Sequence, residues 1–344
     1  SHDIELKLLD VSNGRVKAAS EIGADTALRG EAVYRPEREA QVFRRLMDRN
    51  TGPMDDDAVR SIFGEIISSA RGAEAPVRVA ALGPRGTFSE QAAHKVFGRQ
   101  ITLLEGANIR EVFRLTESGD AQFGVVPVEN STEGGGNAPL DLPMETTLQV
   151  CNEVELRVTH CLLARENSPA PREIAGHEQA LAQCRNWLAT HYAGVPLFPK
   201  SSTAEAARAA ADDSEVMAIA SSEAATLYGL EVRAQDIADV PGNTTRFQVL
   251  STASSPPSGS DKTSVVTATS NDAGSLLQLL EPLARAGISM TRIESRPTRA
   301  GLWKYVFFID LEGHITEPKV ADALKEIEGA AAFLRILGSY PRAL

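Results

Sequence analysis

Residues 77–90 read VRVAALGPRGTFSE, which is a short apolar run, a turn rich in glycine and proline, and the start of a helix. Thr87 and Glu90 fit a capping box, in which Thr87 is the N-cap and Glu90 reaches back to its amide. The turn then directs free backbone N–H groups beyond the end of the predicted strand, where a carboxylate or phosphate could bind. An ordinary capped helix is the simpler interpretation of the same residues.

From this stretch to about residue 250, apolar runs alternate with alanine-rich helical segments, and the runs lie at 123–128, 156–163 and 216–220. Such alternation is typical of an α/β domain with a largely parallel sheet. A second capping box, from Ser202 to Glu205, predicts another helix N-terminus facing the same cleft. Two such ends would suit a ligand with two negative charges.

The segments on either side have other patterns. Residues 3–74 carry apolar residues at helical spacing and predict three helices, whose thin core favours dimerisation. Residues 251–260, STASSPPSGS, have the composition of a linker. Beyond them the predicted order of elements is βαββαβ, that of a ferredoxin-like sandwich. We therefore expect domains at 1–75, 76–253 and 261–344.

The composition restricts the class of protein. The chain has 344 residues and a formal net charge of −11, which disfavours a nucleic acid or an anionic membrane as partner because both require a basic surface. No apolar stretch is long enough to span a membrane, and the N-terminus lacks a signal-peptide pattern. The 3 cysteines and the scattered histidines lack metal-ligand spacing. We expect a cytoplasmic protein with reduced thiols and no metal.

Polar residues follow two of the apolar runs. Glu129, Asn130 and Ser131 stand where a predicted strand ends in a glycine-rich loop, which is where ligands of open α/β sheets bind. A flexible connection would have the same composition. Further on, Thr245 could give a proton to a leaving group while the adjacent Arg246 holds a carboxylate. An isolated Thr-Arg pair is also a common surface feature.

The motifs, in their order along the chain, resemble the bifunctional chorismate mutase/prephenate dehydratase family. The resemblance covers nearly the whole chain and rests on residues 83–90, 126–131 (VPVENS), 245–247 (TRF) and 293–297 (IESRP). It implies an all-α helical chorismate-mutase-like domain, a two-lobed α/β domain like the periplasmic binding proteins, and a βαββαβ ACT regulatory domain. It also implies dimers or tetramers, and no metal or organic cofactor.

The family's dehydratase reaction removes the ring hydroxyl of prephenate together with carbon dioxide and leaves phenylpyruvate. The resemblance implies that Thr245 hydrogen-bonds or protonates the leaving hydroxyl, that Arg246 holds a carboxylate and that Glu129 supports the cleft. The residues expected to line the cleft are Thr87, Asn130, Ser131, Gln183 and Ser202. Gly176 departs from the family, which commonly has serine there. Pro139 and Pro143 flank a segment that leads into a helix in the family, and Pro143 would disturb that helix unless it falls in the first turn.

In the ACT domain, the resemblance implies that L-phenylalanine binds between paired subunits and inhibits the enzyme from a distance. The matching residues are Gly274, Ser275, Leu276, Glu294, Ser295, Arg296 and Pro297. A plain structural βαββαβ module is the alternative.

In the helical domain, the matching chorismate-site residues are Arg15, Arg38, Glu39 and Glu74. A solvated charged face would give the same charge pattern. Thr26 stands where the family has a lysine, and the family's first-helix arginine would precede Asp3. Losing two cations from a site that must stabilise a dianionic transition state costs several kcal/mol, because each charge-assisted hydrogen bond contributes about 1.5–3 kcal/mol. We expect weak or absent mutase activity.

Two other functions remain open from the sequence. One is a phenylalanine-binding regulatory protein whose catalytic halves have decayed, which the altered positions suggest and the intact residues 245–247 oppose. The other is a binding protein for small carboxylates, which fits the two-lobed fold but normally carries an export signal.

Overall fold

The computed structural model describes residues 2–29, 34–131, 141–269, 272–297 and 305–343. The chain begins with α1 (His2–Arg29), α2 (Pro36–Arg49) and α3 (Asp56–Glu74). Asp55 caps α3, because its side chain accepts the N–H of Ala58. These helices confirm the predicted helical domain. Pro139 lies outside the residues that the structure describes. Thr26 belongs to α1, but its side chain is outside the described part of the chain.

The first helix exposes an apolar face. Ile4, Leu8 and Val11, spaced to lie on one side of α1, are 71%, 59% and 71% exposed. The same helix packs against α3. A row of large apolar side chains left in water by the packing of one chain is a candidate surface for association.

Residues 77–251 form two α/β lobes. In chain order, the elements are β1 (Val77–Leu82), α4 (Phe88–Phe97), β2 (Ile101–Gly106), α5 (Ile109–Glu117), β3 (Phe123–Asn130), α6 (Asp141–Glu145), β4 (Gln149–Arg157), β5 (Cys161–Ala164), β6 (Glu173–His177), α7 (Glu178–Gln183), α8 (Arg185–His191), β7 (Leu197–Lys200), α9 (Thr203–Asp212), β8 (Val216–Ala220), α10 (Ser222–Tyr228), β9 (Glu231–Ala234) and β10 (Thr244–Ser251).

Each lobe has its own five-stranded sheet. The first has the strand order β2-β1-β3-β10-β4, and the second has the order β7-β6-β8-β5-β9. The two lobes confirm the predicted architecture, but the expectation of a largely parallel sheet is wrong. The chain leaves the first lobe after β4 and returns along β10, which lies antiparallel to both β3 and β4. Buried central strands read as continuous apolar runs in either direction, so the sequence pattern could not separate the two arrangements.

The predicted apolar run at 156–163 is divided between the lobes, because β4 ends at Arg157 and β5 begins at Cys161. Separate apolar clusters fill the two lobes: Val79, Phe97 and Val249 belong to one in the first lobe, and Ile174 and Ile219 to one in the second. The lobes are thus two packed bodies that the chain crosses at 157–161 and again before β10.

The C-terminal elements are β11 (Asp261–Ala268), α11 (Ser275–Arg285), β12 (Met290–Pro297), β13 (Tyr305–Glu312), α12 (Pro318–Ala330) and β14 (Phe333–Pro341). Their four strands form an antiparallel sheet in the order β12-β13-β11-β14, which confirms the predicted βαββαβ sandwich. The two helices cover one face. The other face docks on the first lobe, where Phe308 and Leu337 share an apolar cluster with Val112 of α5.

The connection before β11 is packed, although its composition is that of a flexible linker. The N–H of Ser258 donates to Asp261 Oδ2 at 2.9 Å, and the Ser255 carbonyl lies 2.9 Å from His314 Nε2. Arg44 of α2 donates to the Ser258 carbonyl. Because the helical and C-terminal domains both bind it, this segment holds them against each other.

Candidate functional site

A cleft of about 650 Å³ opens between the two lobes. The first lobe contributes Thr87, Asn130 and Thr245 to its wall, and the second contributes Gln183 and Ser202. These residues come from distant parts of the sequence, and the fold brings them to one cavity. Their roles stay predictions, but their placement together agrees with the expected cleft.

The catalytic candidate Thr245 is held by its partner on the neighbouring strand. Thr245 lies opposite Asn130 in the antiparallel pairing of β10 with β3, and Asn130 Nδ2 donates to Thr245 Oγ1 at 2.9 Å. Since the hydroxyl oxygen accepts this bond, its own proton is available to a different acceptor. The neighbouring Ser131 Oγ accepts the backbone N–H of Thr244 at 2.9 Å, so Ser131 secures the strand end and is not part of the cleft wall.

Two helix N-termini border the cleft, as the capping boxes predicted. Thr87 caps α4 by accepting the N–H of Glu90 at 3.4 Å, and Ser202 caps α9 by accepting the N–H of Glu205 at 3.0 Å. Both glutamates reach one residue further back than expected: Glu90 accepts the N–H of Gly86, and Glu205 that of Ser201. The positive ends of two helix dipoles therefore meet at a cavity that can hold an anion.

A polar cluster, which we define as the His160–Gln183–Asn243 cluster, joins α7 of the second lobe to the two segments that cross between the lobes. Gln183 Oε1 accepts Asn243 Nδ2 at 3.0 Å and lies 2.8 Å from His160 Nε2. Nε2 must therefore carry the ring proton, and burial lowers the pKa of His160 and keeps the ring neutral. His160 and Asn243 also line the cleft. Sequence reasoning placed His160 only among the scattered histidines without metal-ligand spacing, because its partners lie in two other segments.

Arg246 lies on the opposite side of β10 from Thr245, since successive strand residues point to opposite faces. Its buried guanidinium donates to Glu153 at 2.7 Å, to Asp310 at 2.6 Å and to Tyr340 at 3.0 Å. The cleft wall does not include it. The expected contact with a substrate carboxylate is thus replaced by an ionic link to the C-terminal domain, which the motif alone could not reveal.

Glu129 has partners on the same side as Arg246. Its Oε2 lies 3.0 Å from Arg292 Nε and 3.7 Å from Arg246 Nη1. Arg292 belongs to β12 of the C-terminal domain and was not singled out from the sequence. Glu129 also borders the cleft, so one carboxylate contacts both the cavity and the neighbouring domain.

Gly176 is enclosed where the family commonly has serine. A Cβ atom added at this position would stand 2.9 Å from Leu181 Cγ, which is closer than real contacts allow. Leu181 therefore occupies the space that the side chain would need.

Glu39 and Glu74, two of the predicted chorismate-site residues, lie near an arginine that sequence reasoning missed. Arg71 of α3 donates to Glu39 of α2 at 2.5 Å, beside a cavity of about 460 Å³. Burial raises the pKa of Glu39 to about 7, against the opposing effects of Arg71 and of Arg15. Burial also raises the pKa of Glu74, although the positive charge of Arg71 acts in the opposite direction. Arg38 is exposed in the first turn of α2.

The expected effector residues lie on two elements of the C-terminal domain. Gly274, at φ +87°, precedes α11, where the Ser275 hydroxyl donates to the Asp272 carbonyl at 2.7 Å and Leu276 is partly exposed. Glu294 lies on β12 and pairs with both Arg292 and Arg296. Ser295 and Pro297 are on the other, exposed face of that strand.

Within the described ranges, no group of three or more histidine, cysteine, aspartate or glutamate side chains could hold a metal ion. No helix in that part of the chain is both long and apolar enough to cross a bilayer.

Comparison with known families gives one match for each region. Residues 2–75 match chorismate mutase type II, residues 79–255 match prephenate dehydratase, and residues 265–329 match the ACT domain. The arrangement is therefore that of a two-lobed catalytic unit between a helical domain and a regulatory one.

Whole proteins with this arrangement are similar over nearly their full length. A bifunctional chorismate mutase/prephenate dehydratase of Stutzerimonas stutzeri is 45% identical and covers 99% of this chain and 95% of its own. One from Aquifex aeolicus is 38% identical, and the match covers 99% of this chain and 96% of that relative. Among solved structures, a prephenate dehydratase from Arthrobacter aurescens in complex with L-Phe is 37% identical, with a TM-score of 0.71. The match covers 78% of this chain and 90% of that one. The chain belongs to the bifunctional chorismate mutase/prephenate dehydratase family.

Proposed function

We propose that this protein converts prephenate to phenylpyruvate in the biosynthesis of phenylalanine. The observation that carries the proposal is the Asn130–Thr245 hydrogen bond of 2.9 Å in a cleft bordered by two helix N-termini. Family membership supports the same reaction. We propose that the enzyme works in the cytoplasm, and its buried free cysteines agree with a reducing compartment.

The reaction breaks two bonds of the substrate. The bond between the ring and its carboxylate breaks and releases carbon dioxide, while its electron pair enters the ring. The bond from the ring to the hydroxyl oxygen breaks on the other side, and the ring becomes aromatic. Hydroxide is a poor leaving group, so it accepts the Thr245 proton as it departs and leaves as water. Solvent then returns a proton to the threonine.

The protein's other task is to orient a substrate with two carboxylates. We assign this task to the helix ends at Thr87 and Ser202, whose N–H groups and dipoles favour negative charge. Gln183, with its carbonyl oxygen held by two donors, presents its amide group in a fixed orientation. Asn130 orients the Thr245 hydroxyl, and no metal or organic cofactor is needed.

An assay of phenylpyruvate formation from prephenate, followed by ultraviolet absorbance, tests this function. Thr245→Ala should lower kcat by about 10²–10⁴-fold, the usual contribution of a positioned proton donor. Thr244→Ala is the matched control, since the adjacent hydroxyl donates to the Gly242 carbonyl at 3.2 Å and faces away from the cleft. No turnover by the unmutated chain would favour a decayed, phenylalanine-binding regulatory protein instead.

We also propose that L-phenylalanine inhibits the enzyme by binding to the ACT domain, through the residues at 274–276 and 294–297. The relative from Arthrobacter aurescens, solved with L-Phe, supports this effector. Titration of the prephenate assay with L-phenylalanine should give inhibition, and Ser295→Ala, on the exposed face of β12, should weaken it.

For the helical domain we propose a chorismate mutase activity slower than the dehydratase. Arg15, Arg38, Glu39 and Glu74 would form the site, together with the Arg71 that pairs with Glu39. Chorismate consumption by the full chain should be slower than prephenate consumption at equal enzyme concentration. Comparable rates would contradict the weak mutase activity that we expect because Thr26 stands where the family has a lysine.

We propose a homodimer or homotetramer. The exposed apolar row of Ile4, Leu8 and Val11 supports association through α1. Sedimentation should show a mass above one chain, and Leu8→Glu should lower it. Unchanged association in that variant would place the interface elsewhere.

A further inference from the structure

Arg292 of the C-terminal domain contacts Glu129, which belongs to the dehydratase motif at 126–131. Arg292, on β12, places its Nε 3.0 Å from Oε2 of Glu129, at the end of β3. Only 15% of the Arg292 side chain is exposed, against 38% for Glu129. The pair is therefore partly shielded from solvent and screened less than a surface ion pair.

Arg292 also contacts the predicted effector motif. Arg292, Glu294 and Arg296 alternate along β12 and so share one face of the strand, directed at the first lobe. The Glu294 carboxylate pairs with both arginines. Arg292 thus stands between Glu294, in the effector motif, and Glu129, in the dehydratase motif.

From Glu129 the connection continues to the catalytic hydroxyl. Glu129 precedes Asn130, whose amide donates to Thr245 at 2.9 Å. Arg246, the other cation near Glu129, is 3.7 Å away and already donates to Glu153 and Asp310 at shorter distances. Arg292 is therefore the stronger of the two contacts that hold the Glu129 carboxylate in place.

We propose that Arg292 is a positioning residue of the dehydratase site, supplied by the ACT domain. It holds Glu129 and thereby the end of β3, so that Asn130 keeps the Thr245 hydroxyl directed at the leaving group. Because the same guanidinium binds Glu294, an effector that moves Glu294 would also move Glu129. This inference deepens the proposed function and rests on it.

The test compares Arg292→Gln with Arg285→Gln in the full chain. Arg285 is the control because it is in the same domain and pairs with Glu326 in solvent, at an exposure of 61%. Arg292→Gln should lower kcat by about three- to thirty-fold with a smaller change in KM, and should weaken inhibition by L-phenylalanine by a similar factor. Arg292→Lys should retain part of both properties. Arg285→Gln should match the unmutated chain.

A double-mutant cycle with Glu129→Gln shows whether Arg292 acts through Glu129. In the Glu129→Gln background, Arg292→Gln should cause little further loss, since the partner is already gone. An equal loss in both backgrounds, or unchanged kcat and inhibition in Arg292→Gln, overturns the inference while the proposed function stands. An unmutated chain without prephenate turnover overturns both. Thermal unfolding midpoints identify any variant that loses activity because it misfolds. If Arg292→Gln is such a variant, the kcat and the phenylalanine inhibition of Arg292→Lys test the inference instead.

Discussion

Nη1 of Arg246 lies 2.6 Å from Oδ2 of Asp310, and the two residues join the first dehydratase lobe to the ACT domain. Both side chains are almost fully buried. Asp310 Oδ1 also accepts the Ser264 hydroxyl, and Glu153, the second carboxylate on Arg246, accepts Lys262 Nζ at 2.7 Å. The regulatory domain is therefore attached by a buried ionic network as well as by apolar packing.

Removing the guanidinium should destabilise this attachment. Arg246→Met leaves the Glu153 and Asp310 carboxylates buried with fewer partners, which costs about 3–5 kcal/mol when one partner of a buried pair is lost. We expect a lower thermal unfolding midpoint and easier proteolysis between the lobe and the ACT domain. The measurement is a thermal scan of the full chain.

Arg157→Met provides the comparison, because Arg157 pairs with Asp236 at 3.3 Å on the surface. An exposed pair of this kind contributes about 0.2–1 kcal/mol, so its loss should barely move the midpoint. Equal shifts in the two variants would mean that Arg246 acts as an ordinary surface arginine.

The neutral His160 should matter for substrate orientation. His160→Phe removes the Nε2 donor to Gln183 Oε1, while the Asn243 donor to the same oxygen remains. A hydrogen bond of this type contributes about 0.5–1.5 kcal/mol, so kcat/KM for prephenate should fall roughly two- to ten-fold. His160→Gln, which can still donate, should recover part of the loss.

The pH dependence separates this role from general acid–base catalysis. Burial lowers the pKa of His160, so the ring stays neutral as pH falls through the ordinary histidine range. The unfolded chain takes up a proton in that range and the folded chain does not, so the associated stability is present above the ordinary histidine pKa and is lost as pH falls from there through the lowered pKa of the folded protein. The dehydratase profile of the unmutated chain should show no inflection that His160→Gln removes. Loss of such an inflection would identify His160 as a titrating catalytic group.

Sequence patterns located the cleft because its walls are strand ends and helix starts, which have local signatures. Thr87, Ser202 and Asn130 were all found in this way. The direction of Arg246 was not predictable, since it depends on β10 entering the sheet antiparallel and on the ACT sheet docking behind it. His160 and Arg292 were missed for the same reason: each acquires its role from partners in another segment, and neither has a local pattern.

Gly176 offers a test of local compensation. Gly176→Ser introduces a Cβ atom at 2.9 Å from Leu181, so we expect a destabilisation of about 1–3 kcal/mol, as for other overpacked cores. Activity should not rise, although the family's usual residue is restored. The double variant Gly176→Ser/Leu181→Ala should recover part of the stability, as measured by thermal unfolding. Full stability in the single variant would show that Leu181 moves freely.

The three cysteines should be unreactive in the folded chain. Cys151, Cys161 and Cys184 are buried, and burial raises the pKa of Cys151 and of Cys184 to about 12. At pH 8 the thiolate fraction of Cys151 is therefore far lower than that of an exposed cysteine. A thiol reagent should therefore modify all of them only after unfolding. Because these folded pKa values are raised, the associated stability is present below pH 9 and is lost as pH rises towards 12.

Ser222→Cys, at an exposed position of α10, should react at once in the folded protein. Rapid modification of the unmutated chain would contradict the burial of its thiols.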